Sequence, residues 1–430
     1  MSEPGPEQRW ALRLYLGLAG AITPVWRWGL QRRLRRGKET EASIRQKLMT
    51  EPAARPDGPL VWGHAVGVGE ALALAGLFTR LAQALPGHAF LITTTARTSG
   101  DALKKMGLPP RCQHQFAPID TPATCVAFVR HWRPSLAIWC EMDLWPALIA
   151  ATHAQAVPTI LVNARLSRAS LAKRRWAQPL YAALLSRFVQ LFAQNAETAQ
   201  ALVALGALPT RVVVSGTIKA LAPPLPCDAT DLADLTRAIG ARPVWLLASS
   251  HPGEEALALA AHQQLLAAQA DALLIIAPRA PARGAEVAAL AGPGAALRSR
   301  GQALTTATTV YVADTIGEMG LWYRLSPVAL VGGSLAQVGG HNPYEPLALG
   351  CAVLSGPNVW NFAESYAELQ ADTQADTVLD AQQTAHAVAT VWHTRRDAGA
   401  NPAAARLPPG AQALLDRLQA LAEHPEPLPH

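Results

Sequence analysis

At 430 residues, half of them apolar, the chain exceeds what one hydrophobic core usually organises, so two domains are expected. The formal net charge of +6 is confined to residues 1–50, where ten Arg/Lys stand against four Glu, and the remaining 380 residues are neutral. A nucleic-acid enzyme spreads basic charge over its folded surface, so nucleic acid is excluded as a partner and an anionic membrane surface is favoured.

The first segment carries that charge. Residues 14–26, LYLGLAGAITPVW, form an apolar run of 13 residues that contains Pro24, is flanked by Trp10, Trp26 and Trp28, and is followed by Arg27, Arg32, Arg33, Arg35, Arg36 and Lys38. A spanning helix needs about 20 apolar residues, so the run suits insertion at the headgroup boundary. The dense positive charge follows the apolar core, the reverse of a secretory signal. Residues 1–38 are read as a monotopic anchor that meets the membrane through residues 10–38. The same pattern fits an amphipathic helix packed on the next domain.

From residue 59, short apolar runs alternate with Ala/Leu-rich helical stretches: PLVWGH, AFLITTT, LAIWC and TILVN. This is βαβ alternation. The proline cluster APPLPCD at 222–228 interrupts it, since prolines fix φ and remove backbone donors. The rhythm resumes with VWLLAS, LLIIAP, VYVAD, VALVGG and CAVLSG. The expected layout is an anchor (1–38), a first Rossmann-like lobe (39–221), a linker (222–240) and a second Rossmann-like lobe (241–430), the two lobes facing a central cleft. Continuous apolar strands imply parallel sheets, whose ligands bind at the carboxyl ends of strands.

Five cysteines, Cys112, Cys125, Cys140, Cys227 and Cys351, show no CxxC or Cys/His spacing, which points to reduced thiols in the cytoplasm. In WGHAVGVGE (62–70) a strand runs through small residues into a helix, with Glu70 in its first turn. A helix N-terminus favours negative charge, so Glu70 either complements the dipole or serves as a general base for a hydroxyl. CEMDLWPAL (140–148) sets Glu141 and Asp143 at a strand end ahead of Pro146, where they can bind sugar hydroxyls or cap a helix. No His at ligand spacing accompanies them, so no metal is expected.

VALVGGSLAQVGGHNPYEP (328–346) carries two glycine pairs, which let backbone N–H groups approach phosphate, and Glu345, placed to accept from a ribose diol. APRAPAR (277–283) brings Arg279 and Arg283 just after a strand, where guanidinium groups suit a phosphate or carboxylate. ADTIGEM (313–319) offers Thr315 before another helix. Lys219 sits beside the linker, and Ser249, Ser250 and His251 follow the first strand of the second lobe. Of the histidines, His64, His251 and His341 fall at strand-to-helix turns.

In order along the chain, HAVGVGE (64–70), TTTARTSG (93–100), CEMDLWPA (140–147), NARLS (163–167), SSHPGEE (249–255), ADTIGE (313–318), GGHNPYEP (339–346) and NFAE (361–364) resemble the motifs of bacterial 3-deoxy-D-manno-octulosonic acid (Kdo) transferases of lipid A biosynthesis. The resemblance runs from the anchor to about residue 370. It implies a GT-B fold, CMP-Kdo as donor, a tetra-acylated lipid A precursor (lipid IVA) as acceptor, and a metal-independent inverting transfer without cofactor at the cytoplasmic face of the bacterial inner membrane.

Carried over residue by residue, the resemblance implies Glu70 as general base. It implies Glu141, Lys219, Arg279, Ile316, Gly317, Glu318, Asn342 and Glu345 on the donor side, and His64, Gly69, Arg165 and Ser167 as acceptor-side or structural. The chain departs from the family's motifs at Gly67, Ala147, Thr217, Ala220, Leu221, Ala280 and Ala282. The alternatives are a GT-B transferase using another nucleotide sugar, and a catalytically silent membrane-surface paralogue.

Overall fold

The structure is a computed structural model that describes residues 6–221, 224–371, 373–397 and 409–424. The chain divides into two compact units, Met1–Ala222 with Leu407–His430, and Pro223–Arg406.

The first unit is built on a seven-stranded sheet of β1 (Leu60–His64), β2 (Ala89–Thr94), β3 (Cys112–Phe116), β4 (Leu136–Cys140), β5 (Thr159–Ala164), β6 (Gln190–Ala193) and β7 (Val212–Val214). Their order is β3-β2-β1-β4-β5-β6-β7, and every pair is parallel. Crossover helices cover both faces of such a sheet, so β1, β2, β4 and β5 are buried along their whole length and read as unbroken apolar runs. The edge strand β3, Cys-Gln-His-Gln-Phe, is only partly buried, and its polar sequence gave no strand signal. The helix Val68–Ala84 lies so close to β1 that a Cβ on Gly63 would come within 2.7 Å of the Leu74 and Phe78 side chains. That contact fixes where the first turn of the helix, with Glu70, leaves the sheet.

The second unit repeats the plan with β8 (Val244–Ser250), β9 (Leu273–Pro278), β10 (Ala295–Leu297), β11 (Val310–Val312), β12 (Val328–Val331), β13 (Ala352–Ser355) and β14 (Ala375–Thr377). The order is β10-β11-β9-β8-β12-β13-β14, again all parallel. In each sheet the chain reverses its direction of travel at the first strand: β1 lies between β2 and β4, and β8 between β9 and β12. Such a switch point opens a crevice at the carboxyl ends of the two diverging strands.

The expected boundaries change in three places. The described residues 6–38 are not a separate anchor, because Leu12 and Leu16 of the helix Pro6–Ala21 pack on the first unit's core, Ala19 is buried, and Leu30 of the next helix joins Ile44 and Ile119. The expected linker 222–240 is shorter, since the helix Ala229–Ile239 buries Leu235 and Ile239 against β8. The second lobe does not run to residue 430. The last helix, Pro409–Glu423, buries Leu414, Leu418 and Leu421, one face at helical spacing, and packs on the helix Val68–Ala84 of the first unit. Arg417 Nε of the same helix donates to Gln190 Oε1, at the start of β6, at 2.7 Å. Among the described residues no helix is long and apolar enough to cross a membrane.

A buried carboxylate ties the N-terminal helix to the sheet region. Asp120 accepts from Tyr15 Oη at 2.8 Å and from Leu148 N at 2.9 Å and Ala147 N at 3.3 Å, the open amides at the start of the helix Pro146–Ala154. Asp120→Ala strands these donors and is expected to lower the unfolding free energy by about 1–3 kcal/mol in urea titration. Tyr15→Phe removes one bond and is expected to lower it by less.

Candidate active site

The switch-point crevice of the first sheet is lined by the residues that follow β1 and β4. After β1 the chain turns through Ala65–Gly67 into the helix Val68–Ala84, and Glu70 reaches back to accept from Gly67 N at 2.7 Å and Val66 N at 3.2 Å, both at Oε2. This is half of a capping box; Gly67 has no side chain to supply the other half. A Cβ at Gly67 would stand 3.1 Å from Glu70 Oε1, so the glycine gives this carboxylate more room than any residue with a side chain would. Glu70 remains half-exposed, in a turn whose Gly69 faces open space.

Glu141 follows β4 with φ of 70°, a left-handed conformation that a non-glycine residue adopts only when its surroundings impose it. Those surroundings are visible. Asn163 Nδ2 donates to Glu141 Oε1 at 2.7 Å, and Gln194 Nε2 donates to the same oxygen at 3.2 Å and to Asn163 O at 3.0 Å. Asn163, itself at φ of 57°, accepts at Oδ1 from Thr217 Oγ1 and Ile218 N, both at 3.1 Å. Burial first, then the nearby charge of Glu70, push the Glu141 carboxyl up to about 8, against the opposing charges of Arg165 and Lys219. Below that pH it is a neutral acid able to donate a hydrogen bond.

Sequence reasoning missed Asn163 as a functional residue within NARLS, and missed Gln194 altogether. Each is a polar residue at or just past the end of an apolar strand, a signal as plain as that of Glu141. Of the other first-unit candidates, Lys219 and Arg165 join Glu141 electrostatically. Ser167 caps the helix Arg168–Arg174 by accepting from Ser170 N at 3.2 Å. His64 is fully buried, with Nδ1 3.0 Å from Thr93 Oγ1 and its ring 4.7 Å from that of Trp139, and burial pushes it down to about 3. It stays neutral and belongs to the core.

In the second unit, Glu254 organises the crevice between β8 and β12. Its carboxylate, 2% exposed, accepts at Oε2 from His251 N (2.9 Å) and Gly333 N (2.8 Å) and at Oε1 from Leu335 N (2.9 Å) and Ala336 N (3.1 Å). The motifs SSHPGEE and GGSLAQVGGHN are thereby one site. A Cβ on Gly332 would fall 2.5 Å from Ser249 O, which shows how closely the two turns approach.

Asn342 Nδ2 donates to Glu345 Oε1 at 3.3 Å; burial pushes the Glu345 carboxyl up, opposed by Asn342 and by Arg279. Arg279 is exposed just past β9, whereas Arg283 is held by Glu255 at 2.6 Å and Glu286 at 2.7 Å. Ile316 is 87% exposed beside Gly317, which has φ of 91°. Glu318 pairs with Arg298 at 2.8 Å and accepts from Thr315, so its carboxylate is committed within the unit. The donor-side candidates therefore divide: Glu141 and Lys219 belong to the first unit, Arg279, Ile316, Gly317, Glu318, Asn342 and Glu345 to the second.

Two parallel-sheet units with polar constellations at their switch points define an α/β protein of the GT-B type. Solved structures share the fold: a putative UDP-N-acetylglucosamine 2-epimerase from Listeria monocytogenes (14% identical, TM-score 0.52, 86% of this chain and 98% of that one) and a glycosyltransferase from Rickettsia africae (10%, TM-score 0.50, 86% and 100%). Residues 33–222 match the family model Glycos_transf_N, 3-Deoxy-D-manno-octulosonic-acid transferase (kdotransferase). A probable mitochondrial 3-deoxy-D-manno-octulosonic acid transferase of Arabidopsis thaliana is 34% identical over 363 residues, 82% of this chain and 80% of that protein. The chain belongs to the 3-deoxy-D-manno-octulosonic acid transferase family.

The electrostatics of the first crevice can be read directly. In carbon-detected NMR titration Glu141 is expected to titrate near 8. Glu70→Gln removes a like charge and moves that midpoint down; Lys219→Met removes an opposing one and moves it up.

Proposed function

We propose that the enzyme moves Kdo from CMP-Kdo to a hydroxyl of a lipid A precursor with inversion, Glu70 acting as general base. The observation that carries this reading is the pairing of Glu70, half-exposed at the switch point of the first sheet, with Glu141, a carboxyl that keeps its proton up to about pH 8. A carboxyl that holds its proton, as Glu141 does, leaves proton acceptance to the second carboxyl beside it. Glu70 takes the proton of the acceptor hydroxyl as its oxygen bonds to the anomeric carbon. The bond from that carbon to the phosphate oxygen breaks, and CMP leaves with the electron pair. Glu141, neutral, donates a hydrogen bond to the carboxylate of the donor sugar, and Lys219 and Arg165 balance the acidic sugar's charge. The second unit holds the nucleotide, with Arg279 at the phosphate and Glu345, oriented by Asn342, at the ribose.

Membrane contact at the cytoplasmic face of the inner membrane is part of the proposal. The helices Pro6–Ala21 and Thr23–Arg35 leave Trp10, Leu14, Leu18, Val25, Trp26 and Trp28 exposed, with Arg27, Arg32, Arg35 and Arg36 beside them. Trp176, 87% exposed, follows Lys173 and Arg175 in the turn just before the helix Gln178–Leu185, which packs on the first of these helices. Exposed tryptophan interleaved with cations suits an anionic headgroup layer without a spanning segment.

Incubated with CMP-Kdo and the lipid A precursor, the purified protein is expected to raise the lipid's mass by whole Kdo units. Glu70→Gln is expected to slow turnover by about 10²–10⁴-fold with little change in donor KM. Glu141→Gln is expected to abolish the decline of activity with a midpoint near pH 8. No transfer by the wild-type protein refutes the reaction, and transfer of a different sugar from its nucleotide redirects it to another donor.

The double variant Leu14→Glu/Leu18→Glu changes only the outward face. It is expected to weaken cosedimentation with phosphatidylglycerol vesicles by about tenfold or more, with an unchanged melting temperature. Undiminished cosedimentation removes this face from the membrane contact.

A further inference from the structure

We propose that His251 and His341 together hold the phosphate of the bound nucleotide, and that the pair takes up one proton from solvent as the phosphate arrives. The inference rests on reading the second unit as the nucleotide-holding lobe and adds to it the phosphate subsite and its proton.

The two histidines follow β8 and β12, the strands that diverge at the switch point of the second sheet. Their rings meet edge to edge, nearly coplanar at 16° with centroids 5.2 Å apart, and Nε2 of one lies 2.9 Å from Nε2 of the other. A nitrogen–nitrogen contact that short is a hydrogen bond, so one Nε2 donates and the other accepts. Two imidazolium rings would set two N–H bonds head to head, so the ligand-free pair holds a single proton on this axis.

The charged groups around the pair are few. Glu254 lies beneath, all four of its close contacts being backbone amides, which pin both turns rather than neutralise a cation. Arg279 stands just past the end of β9 and acts electrostatically on both His341 and Glu345. Burial, then His251, then Arg279 hold His341 below the usual imidazole range, with Glu254 opposing. Gly333, at φ of 66°, runs its backbone against the rings: a Cβ there would stand 3.3 Å from His341 Nε2 and 3.4 Å from His251 Cδ2.

An anion reverses this balance. A phosphate beside the pair favours the charged imidazole, so the Nε2–Nε2 bond opens, the accepting ring takes a proton from solvent, and both rings donate N–H to phosphate oxygens. Arg279 supplies the adjacent fixed cation. The proton returns to solvent when the nucleotide leaves.

The test is calorimetric titration of the full-length protein with cytidine monophosphate in buffers of different ionisation enthalpy, between about pH 7 and about pH 8.5. Across that range the phosphate monoester, with a second pKa of about 6, is already fully charged. The expected result is uptake approaching one proton per nucleotide and a Kd that weakens several-fold per pH unit. His341→Gln and His251→Gln are each expected to weaken binding by about tenfold and to remove the buffer dependence, while melting at the wild-type temperature.

Binding by the wild-type protein without buffer dependence overturns the inference whatever the variants do. So does wild-type affinity in both variants. Those outcomes leave the nucleotide-holding lobe intact, whereas a folded wild-type protein that fails to bind cytidine monophosphate removes that reading and the phosphate subsite with it.

Discussion

Everything chemical in this protein depends on the order in which parallel strands are laid down. A parallel sheet that grows first to one side of its opening strand and then to the other leaves its crevice at one place, between β1 and β4 in the first unit and between β8 and β12 in the second. The residues that leave those strands are forced together whatever their separation in sequence. Glu141 just past β4, Asn163 near the end of the neighbouring β5 and Ser249 near the end of β8 hold left-handed φ angles without being glycine, so the backbone is bent at these strand ends. Each crevice then gathers like with like, two carboxyl groups in one and two imidazoles in the other. Burial first, and then the like neighbour, raises the proton affinity of Glu141 and lowers that of His341.

Glu70 and Glu254 show how the same local device takes two roles. Both follow a strand, both sit in the first turn of a helix after a glycine, and both accept from backbone amides behind them. Glu254 is buried and spends both oxygens on four amides drawn from two segments, so it is a girder. Glu70 accepts from two amides through one oxygen and stays half-exposed, which leaves it available for chemistry. Burial and partner count separate the two, not sequence context.

The N-terminal helix has the same double character on a larger scale. One face is core, with Leu12, Leu16 and Ala19 inward and Tyr15 bonded to Asp120, and the other presents Trp10, Leu14 and Leu18 outward. An apolar run read along the chain cannot say which of its residues face protein. Packing on an existing lobe assigns them, and here it assigns both faces to use.

The amino-acid sequence by itself determined that there are two parallel-sheet lobes, because fully covered strands must be apolar throughout, and it determined which turns carry polar groups, because those interrupt the runs. The edge strand β3 escaped it, since a half-buried strand has no such pattern. It could name Glu70, Glu141, His251 and His341 one at a time and left each with a bland reading beside the chemical one. Only tertiary structure decided which candidates meet. Asn163 and Gln194 closing on Glu141, Glu254 joining two distant motifs, Lys219 acting on Glu141, and the last helix returning to the first unit are all long-range contacts. The physical reason is that strand order and burial, which set distance and proton affinity alike, are properties of the folded sheet and not of any segment within it.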